Sequence, residues 1–524
     1  MSTSYQNSSD CFKSPRRVQV WFLKSSRDLN RNKSRQYKRE RDEAQKQLKK
    51  IQTEQDRLRQ ENEQLKDQLQ KLLEQKEQAE QTTAKPSIEF DDPPVGSHGY
   101  GARMIDLAIK LVKEGIALRA VSRVLDVVFE VLGIDGKTPS YWTVRNWVQR
   151  LGHATLTQET AKADDWVWLM DHSVQIGQEK TLLVLAVRQA DLPPAGEALK
   201  HEDVCPIALT PRTSWSGEDV CQELEKLSQE HSVPRAIVTD HGADLVRGIQ
   251  QFQQNHPQVI ELYDFKHKAA CCLKALLKTN ERFAAFQTKV SATRNAIQQT
   301  ELAFLTPPRP KTKARFMNLG PTLAWAEKML RLLDHPAPKA RQWVSEQRLE
   351  EKLGWLREFR DSVAEWSECQ RVVNLGVKFA NEHGLFVGAA DQLRAEMPSD
   401  SAHQSSRNLA KKLTDFVAAE QAKLKGNERL PLSTEIVESS FGKFKQLERQ
   451  HAREGFTGLL LGLVTLLGSY GVGTIPKLFA RSKVKDVLGW INKQLGTTFA
   501  SKRATTYHDC KPTTDNVTKI IMRT

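Results

Sequence analysis

The sequence predicts a multidomain chain of α and α/β class, and three observations carry that expectation. At 524 residues it is too long for one ordinary domain, so three or more folded units are expected. Three short apolar runs each close on an acid, at Asp171, Asp240 and Asp264, and bounded runs of that kind read as buried strands. Around them the apolar spacing is helical, first as a heptad pattern and then as segments bounded by Gly, Pro and capping residues.

Composition narrows the class of partner. The formal net charge is +14 and the isoelectric point is near 9.3, which points to a polyanion. Residues 1–50 hold 14 Lys and Arg against 5 Asp and Glu, a net of +9 and most of the total. The hydrophobic fraction of 39% is modest but sufficient for sizeable cores. Seven cysteines, with no Cys-x-x-Cys pair, argue against a disulfide framework or a zinc knuckle and for reduced thiols inside a cell. The first residues show no apolar core of a secretory signal. The most apolar stretch, 456–479, is interrupted by glycines and Pro476 and reads as a buried helix and turn.

Residues 1–15 are polar and expected to be disordered, and 16–82 form a basic helix that runs into a coiled coil. Ala44, Ile51, Leu58, Leu65 and Leu72 occupy d positions, and Leu48, Gln55, Asn62, Leu69 and Lys76 occupy a positions. A buried Asn62 favours a parallel two-stranded coil, so a homodimer through residues 44–76 is expected. Residues 83–98, with Pro86, Pro93, Pro94 and Gly96, read as a linker.

Residues 99–155 read as three helices in a helix-turn-helix arrangement. Val144, Trp147, Val148 and Leu151 fall on the core face of the third helix, which Ser140 caps. Trp142, Thr143, Arg145, Asn146, Gln149 and Arg150 are expected to face outward. Of these, Arg145, Asn146, Gln149 and Arg150 suit a helix that reads bases in the major groove.

Residues 163–278 alternate strand and helix. Strands are expected at 166–171, Thr181–Val187, Val204–Leu209, 236–240 and 259–264, with helices Gly217–His231, Ala243–Gln253 and Lys266–Leu277. This is the strand and helix order of an RNase H-like mixed sheet. Residues 279–428 lose the strand signal and read as an all-α insertion containing Trp325, Trp343, Trp355 and Trp366, each expected in its core. Residues 429–450 would complete the interrupted domain with a helix carrying Glu435, Glu438 and, two turns beyond, Lys445. Further helices span 451–499, and 500–524 form a polar tail.

The residues Leu-Met-Asp171-His, Val-Thr-Asp240-His-Gly, Tyr-Asp264-Phe-Lys-His267 and Ser-Thr-Glu435-Ile-Val-Glu438-Ser-Ser-Phe-Gly-Lys-Phe-Lys445 carry a family resemblance. The sequence resembles the DDE transposases of bacterial insertion sequences, RNase H-like enzymes of the type with a helical insertion before the final Glu. The Glu438–Lys445 spacing resembles the Glu and Lys of the family's YREK signature. The Tyr and Arg are missing, and Thr434 stands where the Arg would be.

The resemblance implies a catalytic and metal-binding set of Asp171, Asp240 and Glu438, with Lys445 on a DNA phosphate. It also implies Mg²⁺, with Mn²⁺ able to substitute, and a location at the nucleoid in a bacterial cytoplasm. Asp171 would bridge two ions about 3.5–4 Å apart, Asp240 would hold one, and Glu438 the other. Carboxylates are the hard oxygen ligands that Mg²⁺ needs. Glu435 competes with Glu438, and the Lys445 spacing favours Glu438. Asp264 is either an outer acid or an ordinary strand end. His172, His241 and His267 are expected to support the acids rather than bind metal. The function implied is DNA cleavage at transposon ends and strand transfer into target DNA. Two alternatives stay open: a non-catalytic DNA-binding regulator, and a metal-dependent nuclease without strand transfer.

Overall fold

The computed structural model describes scattered positions between residues 20 and 71, and residues 88–89, 92–96, 99–309, 316, 319–335, 343–398, 402–449 and 458–509, save 177, 178, 497 and 498. The side chains of 173–179 also lie outside the description. The chain forms two compact units, residues 1–88 and 89–524.

In the first unit every described residue between 20 and 71 is helical, as the heptad pattern predicts. Leu58, Leu65 and Leu69 are 51%, 57% and 59% exposed along that helix. The heptad residues Ala44, Leu48, Ile51, Asn62, Leu72 and Lys76, the expected disorder of 1–15, and the tail beyond 509 lie outside the described residues.

The second unit opens with three helices, α1 (Ala102–Lys113), α2 (Leu118–Leu132) and α3 (Tyr141–Leu156). Each packs on the other two. α2 stops where Gly133 turns left-handed at φ 64°, a conformation that suits Gly. The Ser140 hydroxyl accepts the Thr143 N–H at 3.3 Å and starts α3, as expected. Val144, Trp147, Val148 and Leu151 are all buried, so the core face of α3 is the one its spacing predicts.

The sheet follows, with β1 (Trp166–Ile176), β2 (Glu179–Arg188), β3 (Cys205–Arg212), β4 (Ala236–Thr239) and β5 (Ile260–Tyr263) in the order β3-β2-β1-β4-β5. β1 pairs antiparallel with β2, and β2 with β3, while β1–β4 and β4–β5 are parallel. The helices α4 (Gly217–His231) and α5 (Ala243–Asn255) supply the crossovers, and α6 (Phe265–Leu277) follows the last strand. Strand alternation sorts the sheet into two cores. Trp166, Trp168 and Met170 point to one side, with α4 and α5. Val167, Leu169, Val238 and Leu262 point to the other, with α6 and the helices after it.

One of the boundaries that differ from expectation bears on the acids. β1 does not end at Asp171 but continues to Ile176, because β2 stays paired with it past the point where β4 stops. Asp171 therefore lies within a strand whose parallel neighbour has ended.

The insertion is all-α, as expected. It comprises α7 (Glu281–Ile297), α8 (Gly320–Asp334), α9 (Glu346–Leu353), α10 (Arg360–Glu382), α11 (Ala389–Glu396) and α12 (Gln404–Gln421). α10 and α12 pack against α6, so the insertion covers the sheet rather than hanging from it. Trp325 and Trp366 are buried and Trp355 is partly buried, with its indole N–H on Thr293 at 2.9 Å. Trp343 departs from expectation at 65% exposed, edge-on to an exposed Phe304.

The chain then returns to the sheet through two devices. Arg235, at the head of β4, grips Glu428 with both carboxylate oxygens in a pair whose side chains are 12% and 10% exposed. A two-way backbone bridge then joins Leu385 and Leu430. α13 (Glu435–Arg449) packs on β1 and β2 through Val437 and Phe441, which are fully buried.

The last helices are α14 (Leu461–Leu467), α15 (Ile475–Arg481), α16 (Val484–Leu495) and α17 (Phe499–Asp509). α17 stands where a loose tail was expected; its residues include no Gly or Pro to interrupt a helix. α14 and α15 do not form a separate unit. Leu466, Ile475 and Phe479 join Ile105, Leu118 and Trp147 in one core. α14 approaches α3 so closely that a Cβ at Gly152 would meet the Leu461 carbonyl. No helix among the described residues is long and apolar enough to cross a membrane.

Breaking the buried Arg235–Glu428 pair leaves one charge without a partner. Arg235→Met is expected to cost about 3 kcal/mol in denaturant unfolding, whereas a loss below about 1 kcal/mol would show that the pair does not anchor the returning segment.

Candidate active site

The register of the sheet lines up the acids. Met170 pairs with Thr239, and Thr239 with Tyr263, so Asp171, Asp240 and Asp264 occupy the next positions in one row across β1, β4 and β5. Alternation assigns all three to the face of Val167, Leu169, Val238 and Leu262, beneath α6 and α13. His172 consequently points to the opposite face. There its Nε2 lies 3.1 Å from Asp244 and its ring packs beside Trp215, and burial pushes its pKa down to about 4.

Asp171 is 8% exposed. Its carboxyl is pushed well above the usual carboxylate range, first by burial and then by the charges of Asp240, Glu438 and Asp264; the His172 backbone N–H works the other way. The predicted acids Asp240 and Glu438 thus both act on Asp171. Glu438 reaches them from above, on the first turn of α13, with its side chain 31% exposed.

Asp240 sits in a tight turn. Its Oδ1 accepts the Gly242 N–H at 2.9 Å, and His241 between them adopts a left-handed φ of 65°. A non-glycine residue there costs roughly 1–3 kcal/mol and persists only where its surroundings hold it. His241 is held by stacking on Tyr263, with ring centroids 4.5 Å apart. His267 lies between two acids, its Nε2 3.9 Å from Asp240 and its Nδ1 4.0 Å from Asp264.

Asp264 has the strand-end role that the sequence allowed, with two structural partners. Fully buried, it accepts the His267 N–H at 2.6 Å and so caps α6. Its other oxygen accepts the Thr434 N–H at 2.6 Å and the Thr434 hydroxyl at 3.0 Å. The Phe265 N–H donates to the Leu432 carbonyl at 3.0 Å beside it. These bonds set the segment that launches α13 against the start of α6. Thr434, which stands where the related signature has Arg, is thus part of the connection.

Glu435 and Glu438 share one face, as expected, but their neighbours differ. Glu438 acts on Asp171, while Glu435 takes an Asn381 hydrogen bond and lines a cleft of about 380 Å³ with His201, His383 and Arg429. The residue that sequence reasoning missed is Lys266. Its Nζ lies 2.8 Å from Glu438 and 3.3 Å from Glu435. Its position between Asp264 and His267 was the only signal.

The predicted DNA-contacting residues divide. Lys445 is exposed, and Arg145 and Asn146 are half-exposed beside an exposed Trp142. Gln149 and Arg150 are corrections: they are buried, at 4% and 6% exposed. Arg150 donates to the Ser482 and Phe479 carbonyls at 2.7 and 2.8 Å and lies 4.1 Å over the Phe479 ring. The C-terminal helices cover this half of α3, which a local reading of α3 leaves open to solvent.

Carboxylates with hard oxygens, two of them close enough to raise the proton affinity of Asp171, are a donor set suited to a divalent cation. As placed, no three His, Cys, Asp or Glu side chains among the described residues stand close enough to share one ion. No protein-family model matches the chain, and no curated protein matches it. Among solved structures it is similar to the Drosophila P element transposase strand transfer complex, at 11% identity and a TM-score of 0.33. The match covers 71% of this chain and 92% of that one.

Because the folded-state pKa of Asp171 is raised, its protonated form stabilises the fold. That contribution is complete below the ordinary Asp range and is lost as pH rises through the raised value. Asp171→Asn, neutral at every pH, is expected to melt a few degrees above wild type at pH 7 in chelator, with the gap closing on acidification. A lower Tm at pH 7 would mean that the acids do not repel as described.

Proposed function

We propose that the chain is a DNA transposase with an RNase H-like catalytic domain, in which Asp171, Asp240 and Glu438 hold divalent metal for cleavage at transposon ends and strand transfer. The observation that carries this reading is the row of Asp171 and Asp240 on adjacent parallel strands, with Glu438 above them on a helix that the chain supplies only after the insertion. The sheet order, with β1 central and β2 the antiparallel neighbour, supports it.

Metal bound here would polarise the phosphate and lower the pKa of the attacking water or 3′-hydroxyl. The chain's own residues do the rest. The turn at Asp240–Gly242 and the buried Asp264 fix the acids, and His267 stands between two of them. The exposed Lys445 would meet a backbone phosphate, and the half-exposed Arg145 and Asn146 would enter a DNA groove. The basic N-terminal arm adds a sequence-independent attraction. The exposed Leu58, Leu65 and Leu69 favour a paired helix, hence a homodimer through 44–76.

The deciding assay gives the protein DNA carrying its element's ends, with Mg²⁺ or Mn²⁺. Asp171→Asn, Asp240→Asn and Glu438→Gln should each bind DNA yet reduce cleavage and joining to background, while Glu435→Gln retains both. Cleavage that survives Glu438→Gln but not Glu435→Gln would transfer the third role to Glu435. Cutting without joining would leave a nuclease, and binding without any cutting a regulator. Separately, removing residues 1–82 should lower the association state in sedimentation equilibrium, and an unchanged state would rule out the zipper.

A further inference from the structure

Resting on the metal reading above, we propose that Lys266 is the resident counter-ion of Glu438, which the ammonium must release before that acid can join Asp171 and Asp240 around a divalent ion. The contact is direct: Nζ is 2.8 Å from Glu438 Oε2 and 3.3 Å from Glu435 Oε1. It is also partly desolvated, since the Lys266 side chain is 22% exposed.

The ammonium is delivered from a fixed backbone. Lys266 lies in the first turn of α6 between Phe265, whose N–H is held by the Leu432 carbonyl, and His267, whose N–H is held by Asp264. Its partner acids lie in the first turn of α13, the helix that starts at the Asp264–Thr434 bonds. One buried carboxylate therefore sets both ends of the ion pair.

The charge at the site is unevenly matched. Among the described residues Lys266 ion-pairs with Glu438 and Glu435, whereas the only basic side chain within ion-pair distance of Asp240 is His267 at 3.9 Å, and Asp171 makes no ion pair. The acids are close enough to repel but, as placed, too far apart for three to share an ion. Glu438 is the member already committed to a cation. A lysine ammonium is a compact charge on a flexible stem, able to swing out without backbone movement. A divalent ion brings twice its charge to three carboxylates instead of two. Metal entry and Lys266 release are then one linked equilibrium, and the lysine sets how much free metal the site requires.

The test measures Mn²⁺ binding to full-length protein by the loss of the free-ion signal in electron paramagnetic resonance, alongside Tm in chelator and in Mn²⁺. Lys266→Met should bind Mn²⁺ roughly fivefold tighter, the scale of one partly exposed charge pair. Its Tm should fall in chelator and return to the wild-type value in Mn²⁺. Lys266→Gln replaces it if the Met variant does not fold, and Lys266→Arg should stay near wild type. Lys268→Met removes the same charge two residues away, from over the Tyr263 and Phe416 rings, and should leave affinity unchanged. On a Glu438→Gln background the Lys266 substitution should add nothing to Mn²⁺ affinity.

Unchanged or weaker Mn²⁺ binding by both neutral Lys266 variants overturns the proposal, as does an equal gain from Lys268→Met. A wild type that cuts DNA in chelator and binds no Mn²⁺ overturns the metal reading itself, a result distinct from either of those.

Discussion

The buried carboxylate of Asp264 is the constraint on which the site depends. One oxygen caps α6 and the other holds the residue that starts α13. Between those two helices lies the entire insertion, so two segments far apart in sequence acquire a common origin in one side chain. Burying a carboxylate is costly unless its oxygens are satisfied, and here three donors satisfy it. The remaining local geometry follows. Glu438 stands over β1 because α13 begins where Thr434 is held, and Lys266 meets Glu438 because both helices start from bonds to Asp264.

The row of acids raises an electrostatic question that the fold answers on opposite sides of the sheet. Away from the row, Asp244 is matched by Lys180 and by the neutral His172. On the row side like charges accumulate, and burial drives Asp171 toward its protonated form. Such an arrangement is not explained by stability, since a neutral side chain at Asp171 would suit the metal-free fold better. A perturbed carboxyl beside other acids is a pattern found at functional sites.

Much of this was legible in the sequence because it rests on short-range periodicity. The alternation in Trp-Val-Trp-Leu-Met-Asp171 states which face each residue takes, and the similar endings at Asp240 and Asp264 imply one edge. The helix Gly217–His231 was bounded correctly because its ends carry their own signals: Ser216 and Asp219 form a capping box at one end. What was not legible depends on partners distant along the chain. Arg150 looks like a surface residue until Phe479 and Ser482 return to cover it. The continuation of β1 past Asp171 depends on β2. The structural partner of Asp264 could not be seen without Thr434, and Lys266 carries only the signal of its place between Asp264 and His267 until α13 is set beside it. Among the insertion tryptophans, spacing alone does not separate the exposed Trp343 from the buried Trp366.

The burial of Arg150 bears on reach. The three-helix unit is joined to α14 and α15 by a shared core and by an arginine stitched to backbone carbonyls, and α3 also packs against β3 of the sheet. It is thus a fixed projection of the body that carries the sheet rather than a module on a tether. If α3 reads DNA, the separation between the bases it touches and the phosphate at the acids is a constant of the protein, like the gap between a gauge and a blade. Lengthening the connection at 157–165 would leave that spacing unchanged, because the shared core and Arg150, not the connection, set it.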